Sequence, residues 1–315
     1  MKHAHVRAYL GIEIGGTKLQ LVLGNDAGEI LERRRLTVEA AGGAAGIRTQ
    51  IQRTLPELMS MARVAAIGVG FGGPVAWRTG KICRSHQVEG WSEFDLREWL
   101  TGLAGVPVFV DNDANVATLG EANHGAGIGF NPVFYVTLGS GVGGGLVTDG
   151  RIYHGTAPGE AEIGHVRLDR TGTIVETKCS GWAVDAKIRV LKTSEPGSLL
   201  CRMMDDKPGG EARHLLPALE RKDPGALRIL QETAEDLAFA LSHVAHLFHP
   251  QIIIIGGGLS GVGEPLRAAI EAALRDFMME AFSPGPQVAL AVLREDAVPT
   301  GALDLGRTRL EAGNS

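Results

Sequence analysis

The sequence predicts an α/β fold made of two related domains, and three observations carry that expectation. Apolar, β-branched runs alternate with stretches of helical spacing along the chain. Residues 11–30, GIEIGGTKLQLVLGNDAGEI, and 135–152, YVTLGSGVGGGLVTDGRI, follow one plan of strand, glycine turn, strand, Asp-containing turn and strand. Residues 252–255 are four consecutive isoleucines, as in a strand covered on both faces of a parallel sheet.

The elements follow in order. Residues 8–14 are apolar and end in Gly15-Gly16-Thr17-Lys18; 19–23 are apolar again; 25–28 make a turn, and 29–38 read as a third strand. This is a meander. A helix is expected over 43–61, a buried strand over 64–70, a short helix over 95–103 and a strand over 106–110. The plan then returns with strands at 133–138, 142–147 and 151–154. Two unrelated hairpins would also carry glycine turns, but the match spans three strands and both turns, so a duplicated unit is favoured. From 223 to 248 apolar residues recur at steps of three or four, which predicts a long helix. A strand at 252–255, a helix over 265–279, a strand at 288–292 and a closing helix over 300–309 complete the chain.

Composition narrows the function classes. The chain has 315 residues, 44% of them hydrophobic, enough for two ordinary domains. A net charge of −5 provides no basic field for nucleic acid or an anionic membrane. No stretch of about 18 apolar residues occurs, and the first residues lack a signal-peptide core. The three cysteines, Cys83, Cys179 and Cys201, form no CxxC pair. A soluble, reduced, cytoplasmic protein is expected. Glycine is the outlier, at 44 residues against a usual ~7% of a chain, and it is clustered.

Three glycine clusters follow apolar strands, where α/β folds bind ligands. Amides in such turns can cradle phosphate oxygens. Gly15 and Gly16 are joined by Thr17 and Lys18, whose hydroxyl and ammonium suit phosphate, and by Glu13, which can hold magnesium directly or through water. Gly139, Ser140 and Gly141 form the matching turn of the second copy. The third cluster, Gly256-Gly257-Gly258-Leu259-Ser260-Gly261, fits G-x-G-x-x-G after a strand and before a helix. A dinucleotide site, however, needs an acidic residue at a second strand end. Asp276 and Glu280 lie in a helical stretch instead, and the remaining chain is too short for that domain. No Walker sequence occurs.

Asp111-Asn112-Asp113-Ala114-Asn115 follows the strand ending at Val110. A carboxylate there can orient a hydroxyl nucleophile and take its proton. A helix N-cap would explain one of these residues, but four polar residues in five exceed a cap. Glu160-Ala161-Glu162-Ile163-Gly164-His165 offers acceptors and donors for sugar hydroxyls. Glu176 follows, and a metal half-site would have only Cys179 at hand.

With these motifs assembled, the chain resembles the ROK family (repressors, open reading frames and kinases) over nearly its whole length. GIEIGGTK at 11–18 is similar to the family's first phosphate motif, VDNDAN at 110–115 to its catalytic motif, TLGSGVGGG at 137–145 to its second phosphate motif, EIGH at 162–165 to its sugar signature, and IIIIGGG at 252–258 to its adenosine motif. The resemblance implies two actin-like (ribonuclease H-like) α/β domains with a cleft between them. A small one would cover 1–110 plus a C-terminal helix at about 300–315, and a large one 111–299. It implies a glucokinase-like transfer of phosphate from ATP with Mg2+ to the primary hydroxyl of a hexose. Asp113 would be the base, and Gly73, Asn112, Glu162 and His165 would line the sugar site. ATP would lie over Gly15-Gly16 and Gly139-Ser140-Gly141, with Gly256, Gly257 and Gly258 at the adenosine. A homodimer is the family-level expectation for assembly.

This chain also departs from the family. Glu13 stands where the family usually has Asp. The family's loop of about four cysteines, which holds structural zinc with the signature His, is replaced by VRLDRTGTIVETK at 166–178, so zinc is not expected. Aligning Ser180-Gly181 puts Ile174 at the last zinc cysteine and Glu176 on a further sugar-binding glutamate. Ser85-His86-Gln87 replaces the Pro-Asn that commonly precedes Gly90-Trp91 in the kinases. Two rivals follow. A sugar-responsive regulator of the same family would carry a helix-turn-helix before the first phosphate motif, which here begins at residue 11. A sugar binder without catalysis would account for the missing zinc loop, though Asp113 and the phosphate turns speak for an enzyme.

Overall fold

In the computed structural model, residues 7–83, 89–159, 161–204 and 208–313 are described. In chain order the first half holds β1 (Ala8–Ile14), β2 (Lys18–Asn25), β3 (Ile30–Thr37), α1 (Gly43–Met61), β4 (Val64–Phe71), β5 (Val75–Ala76), β6 (Lys81–Ile82), α2 (Leu96–Ala104), β7 (Val108–Asn112) and α3 (Asp113–His124). The second half holds β8 (Val133–Leu138), β9 (Val142–Thr148), β10 (Arg151–Ile152), α4 (Val175–Cys179), α5 (Gly181–Ser194), α6 (Leu199–Arg202), α7 (Leu215–Glu220), α8 (Pro224–Phe248), β11 (Ile252–Gly256), α9 (Glu264–Asp276), β12 (Gln287–Leu290) and α10 (Ala297–Gly313).

The two main sheets share one plan. The first has the order β3-β2-β1-β4-β7 and the second β10-β9-β8-β11-β12. In the first, β1 pairs antiparallel with β2 and parallel with β4, which pairs parallel with β7. In the second, β8 pairs parallel with β11, and β11 with β12. The repeat seen in the sequence is therefore a repeat of topology, the α/β arrangement of actin-like ATPases. The isoleucines of β11 are fully buried, as a strand flanked by parallel neighbours requires.

The chain divides into two compact units, one of Met1–Ile128, Gly145–Ala161 and Glu295–Ser315, the other of Gly129–Gly144 and Glu162–Arg294. In the first, α1 turns Ile47, Ile51, Leu55 and Leu58 toward Leu10, Ile12, Ile14, Leu19 and Leu21 of the sheet. This is the i, i+4 stripe of an amphipathic helix. On the opposite face Tyr9, Val22 and Ala66 pack on Leu303 of α10. Close approach there depends on glycine. A Cβ on Gly68 would strike the Ala302 carbonyl, and one on Gly301 the Val116 carbonyl. These contacts bind α3, α10 and β4 together. The first unit therefore runs on past residue 110, where the sequence places the boundary.

In the second unit α8 packs on α4, α5 and α9. Asp223 caps it by accepting from Ala226 N at 2.8 Å, and Pro224 occupies the first turn, where its missing N–H costs nothing. Among the described residues no helix is long and apolar enough to cross a membrane.

Candidate active site

The first unit gathers one set of the sequence-predicted residues at the carboxyl ends of β1, β4 and β7. Between β1 and β2 the Gly15-Gly16 turn is closed by Gly15 N donating to Lys18 O at 2.9 Å. Glu13 faces Gln20 across the β1–β2 ladder. Its Oε2 accepts from Gln20 Nε2 at 2.7 Å, and its Oε1 lies 3.2 Å from Lys18 Nζ. Gln20 is fully buried, and its carbonyl accepts from Arg33 Nη1 at 3.2 Å and Arg35 Nε at 3.0 Å. Those two bonds orient the amide so that its NH2 faces Glu13. Burial pushes the Glu13 carboxyl above its ordinary range, against the pull of Lys18 and Gln20.

At the end of β4, Gly72 N donates to Ile14 O at 2.9 Å, drawing the 72–73 turn against the Gly15-Gly16 turn. A Cβ built on Gly72 would lie 3.4 Å from Asp113 Oδ2 and 3.7 Å from Gly15 Cα. The carboxylate and the Gly15-Gly16 turn thus border the same small space.

The strand ends later than the sequence suggests. Asp111 and Asn112 still pair with Gly70 and Phe71 of β4, so β7 runs through Asn112, and Asp113 opens α3. Asn112 is the N-cap, its Oδ1 accepting from Ala114 N at 2.9 Å and Asn115 N at 3.2 Å, while its Nδ2 donates to Gly73 O at 3.2 Å. Asp113 sits in the first helical turn, where the macrodipole favours negative charge. Its Oδ1 accepts from Ala114 N at 2.8 Å.

The second unit gathers the other set. Gly139 N donates to Gly141 O at 2.9 Å, closing the turn between β8 and β9. Glu176 Oε2 accepts from Val142 N at 2.9 Å, and a side chain on Gly141 would run into that carboxylate. Glu176 therefore stands against the Gly139-Ser140-Gly141 turn. Glu162 and His165 bound a short 3-10 turn, Ile163–His165. Buried Ile163 and Gly164 seat it, with Gly164 so close to Val142 that a Cβ would strike its carbonyl. The side chains of Glu162 and His165 are left exposed. Gly256 ends β11 against the Tyr135 ring, and Gly257, at φ 78°, lies on the Leu138 backbone. The cluster begins a 3-10 turn, Gly258–Val262, and α9 starts only at Glu264.

The residues at the zinc loop do not fit zinc. Thr171 N and Oγ1, Gly172 N and Thr173 N all donate to Asp169 Oδ1 at 2.7–3.1 Å, so an Asp-centred turn closes the loop. Ile174 bridges to Arg167. Buried Cys179 has its thiol pushed up to about 12 by burial. Among the described residues no group of three His, Cys, Asp or Glu is placed to hold a metal.

Sequence reasoning missed Gln20, Trp77 and His154. Gln20 carries a signal, a polar residue inside the apolar run of β2, but Trp77 and His154 meet only through tertiary packing. Glu160, Ser85-His86-Gln87, residues 1–6 and the last two residues lie outside the described residues.

The sequence pattern of the ROK family matches residues 9–309. The chain belongs to the ROK family. A glucokinase of Halalkalibacterium halodurans is 32% identical over 307 residues, covering 92% of each chain. A glucokinase of Thermotoga maritima is 30% identical over 309 residues, covering 96% of this chain and 98% of its own. The crystal structure of a ROK family glucokinase from Streptomyces griseus, in complex with glucose and AMPPNP, superposes with a TM-score of 0.83 at 30% identity over 96% of this chain and 99% of that one.

Proposed function

We propose that this ROK protein transfers the γ-phosphoryl group of ATP to the primary hydroxyl of a hexose, with glucose the first sugar to test. The observation that carries the reading is Asp113 Oδ2 beside Gly72, next to the Gly15 turn. A base and a phosphate cradle so placed suit an in-line transfer in which the protein mainly positions groups and stabilises charge. Asp113 orients the attacking hydroxyl and accepts its proton. In the first unit the amides of Gly15 and Gly16, with Thr17 and Lys18, suit phosphate; in the second the amides of Gly139 and Gly141, with Ser140, suit phosphate, and Gly256 to Gly258 suit the adenosine. Glu13, held by Lys18 and Gln20 beside the first turn, would hold a magnesium ion directly or through water. Magnesium, when bound, neutralises phosphate charge. For the sugar, Gly73 and Asn112 are the candidates of the first unit, and Glu162, His165 and Glu176 those of the second. The glucokinase relatives at about 30% identity support a hexose substrate.

The test is coupled ADP release with magnesium and ATP over a panel of hexoses and N-acetylhexosamines. Sugar-dependent turnover above about 1 per second is expected. Binding of sugar and ATP without turnover on any sugar would replace the kinase with a non-catalytic binder.

A further inference from the structure

The geometry assigns a positioning role to His154, through Asp111, for the proposed base Asp113; the assignment to catalysis rests on the kinase reading above. Asp111 is buried on β7, two residues before Asp113, and both its oxygens are engaged. Oδ1 accepts from Asn112 N at 2.9 Å and from Asn115 Nδ2 at 3.0 Å. Oδ2 lies 2.6 Å from His154 Nε2, and the two side chains are 2% and 6% exposed. A carboxylate only accepts, which puts the proton on Nε2.

The imidazole is itself held in place. Trp77 stacks on it with ring centroids 4.0 Å apart and planes at 16°. The Arg78 and Arg309 guanidiniums each lie 4.7 Å from the Trp77 ring centroid. Asn115 reaches the same segment a second time, with Nδ2 donating to Gly159 O at 3.3 Å. Residues 154 and 159 are thus pinned to the corner where β7 becomes α3, and that corner places Asn112 as cap and Asp113 in the first turn.

Removing the imidazole would leave Asp111 Oδ2 buried without that partner, a costly state. The corner then shifts or takes in water. A misplacement of about 1 Å at a reacting group can cost about 10²-fold in rate. Of the four polar residues in the motif, Asn112 and Asp113 face the proposed chemistry, whereas Asp111 and Asn115 hold the segment that fixes them.

The experiment compares wild type, His154→Ala and His154→Gln, each confirmed folded by circular dichroism. It reads kcat and KM for sugar, and amide hydrogen exchange of peptides covering 108–118 and 151–159. In His154→Ala, kcat should fall about 10–100-fold, KM for sugar should rise by a smaller factor because Asn112 shares the shifted corner, and both peptides should exchange faster. His154→Gln, whose amide N–H can reach Asp111, should restore most of kcat and of the protection. A folded His154→Ala with wild-type kcat, or one that merely melts earlier, overturns the positioning role. If wild type shows no sugar-dependent turnover, the kinase reading fails and exchange decides: unchanged protection in His154→Ala removes the anchor as well.

Discussion

Replacing Asp113 by Asn separates the proposed proton transfer from the structural bonds of the residue. Asp113 Oδ1 accepts from Ala114 N at 2.8 Å, and an Asn carbonyl can accept the same bond. Asn112 keeps its capping bonds to Ala114 N and Asn115 N, so α3 and the Gly73 contact should persist. What is lost is an oxygen beside Gly72 able to take a proton. General-base catalysis is worth about 10²–10⁴-fold, or roughly 2.7–5.5 kcal/mol of activation free energy. Steady-state ADP release should therefore show kcat down by that factor, while titration calorimetry returns a sugar Kd within a few-fold of wild type. Turnover within about tenfold of wild type would refute Asp113 as the base, because no general-base contribution of ordinary size would then have been removed.

Further predictions test the surroundings. The Glu13 carboxyl is held above its ordinary 4.5 by burial, so the folded protein binds this proton more tightly than the unfolded chain. Its contribution to stability is most favourable below 4.5 and falls as pH rises toward the raised folded value. Urea denaturation across that window should show a shallower fall in Glu13→Gln than in wild type; identical slopes would contradict it. At pH 8 a Cys179 thiol pushed up to about 12 is ionised only to roughly one part in 10⁴. Ellman's reagent should leave it unmodified in native protein and react with all three thiols in denaturant. Gly301→Ala drives a methyl into the Val116 carbonyl where α10 meets α3; it should cost about 1–3 kcal/mol, read as a lower urea midpoint.

The legible and hidden parts of the fold differ by how local their causes are. The glycine turns at 15–16 and 139–141 could be read because strand, turn and strand are neighbours in sequence, and the repeat of that plan led to the repeated sheet order. The long helix 224–248 showed itself through its apolar stripe. Helix α3 did not. Residues 114–122 are all buried, so no amphipathic period marks them, and Gly120 is there to let α10 approach. Asn112 could be weighed both as a cap and as a ligand, and the cap became visible only once the bonds to Ala114 and Asn115 were seen. His154 stands alone two residues beyond β10, and nothing nearby in sequence points to Asp111 or Trp77 as its partners. Helices α4 and α5 follow a segment whose cysteines are missing, and there Asp169 closes the loop in a way that spacing does not reveal.

The central claim is transfer of phosphate to a primary sugar hydroxyl. It is met most directly by a 31P–1H correlation spectrum of the products formed from ATP, magnesium and glucose. The account predicts a phosphomonoester resonance coupled to the methylene protons of the sugar's primary carbon, growing in step with ADP. Free phosphate in its place, or a phosphate coupled to a ring proton, would contradict it.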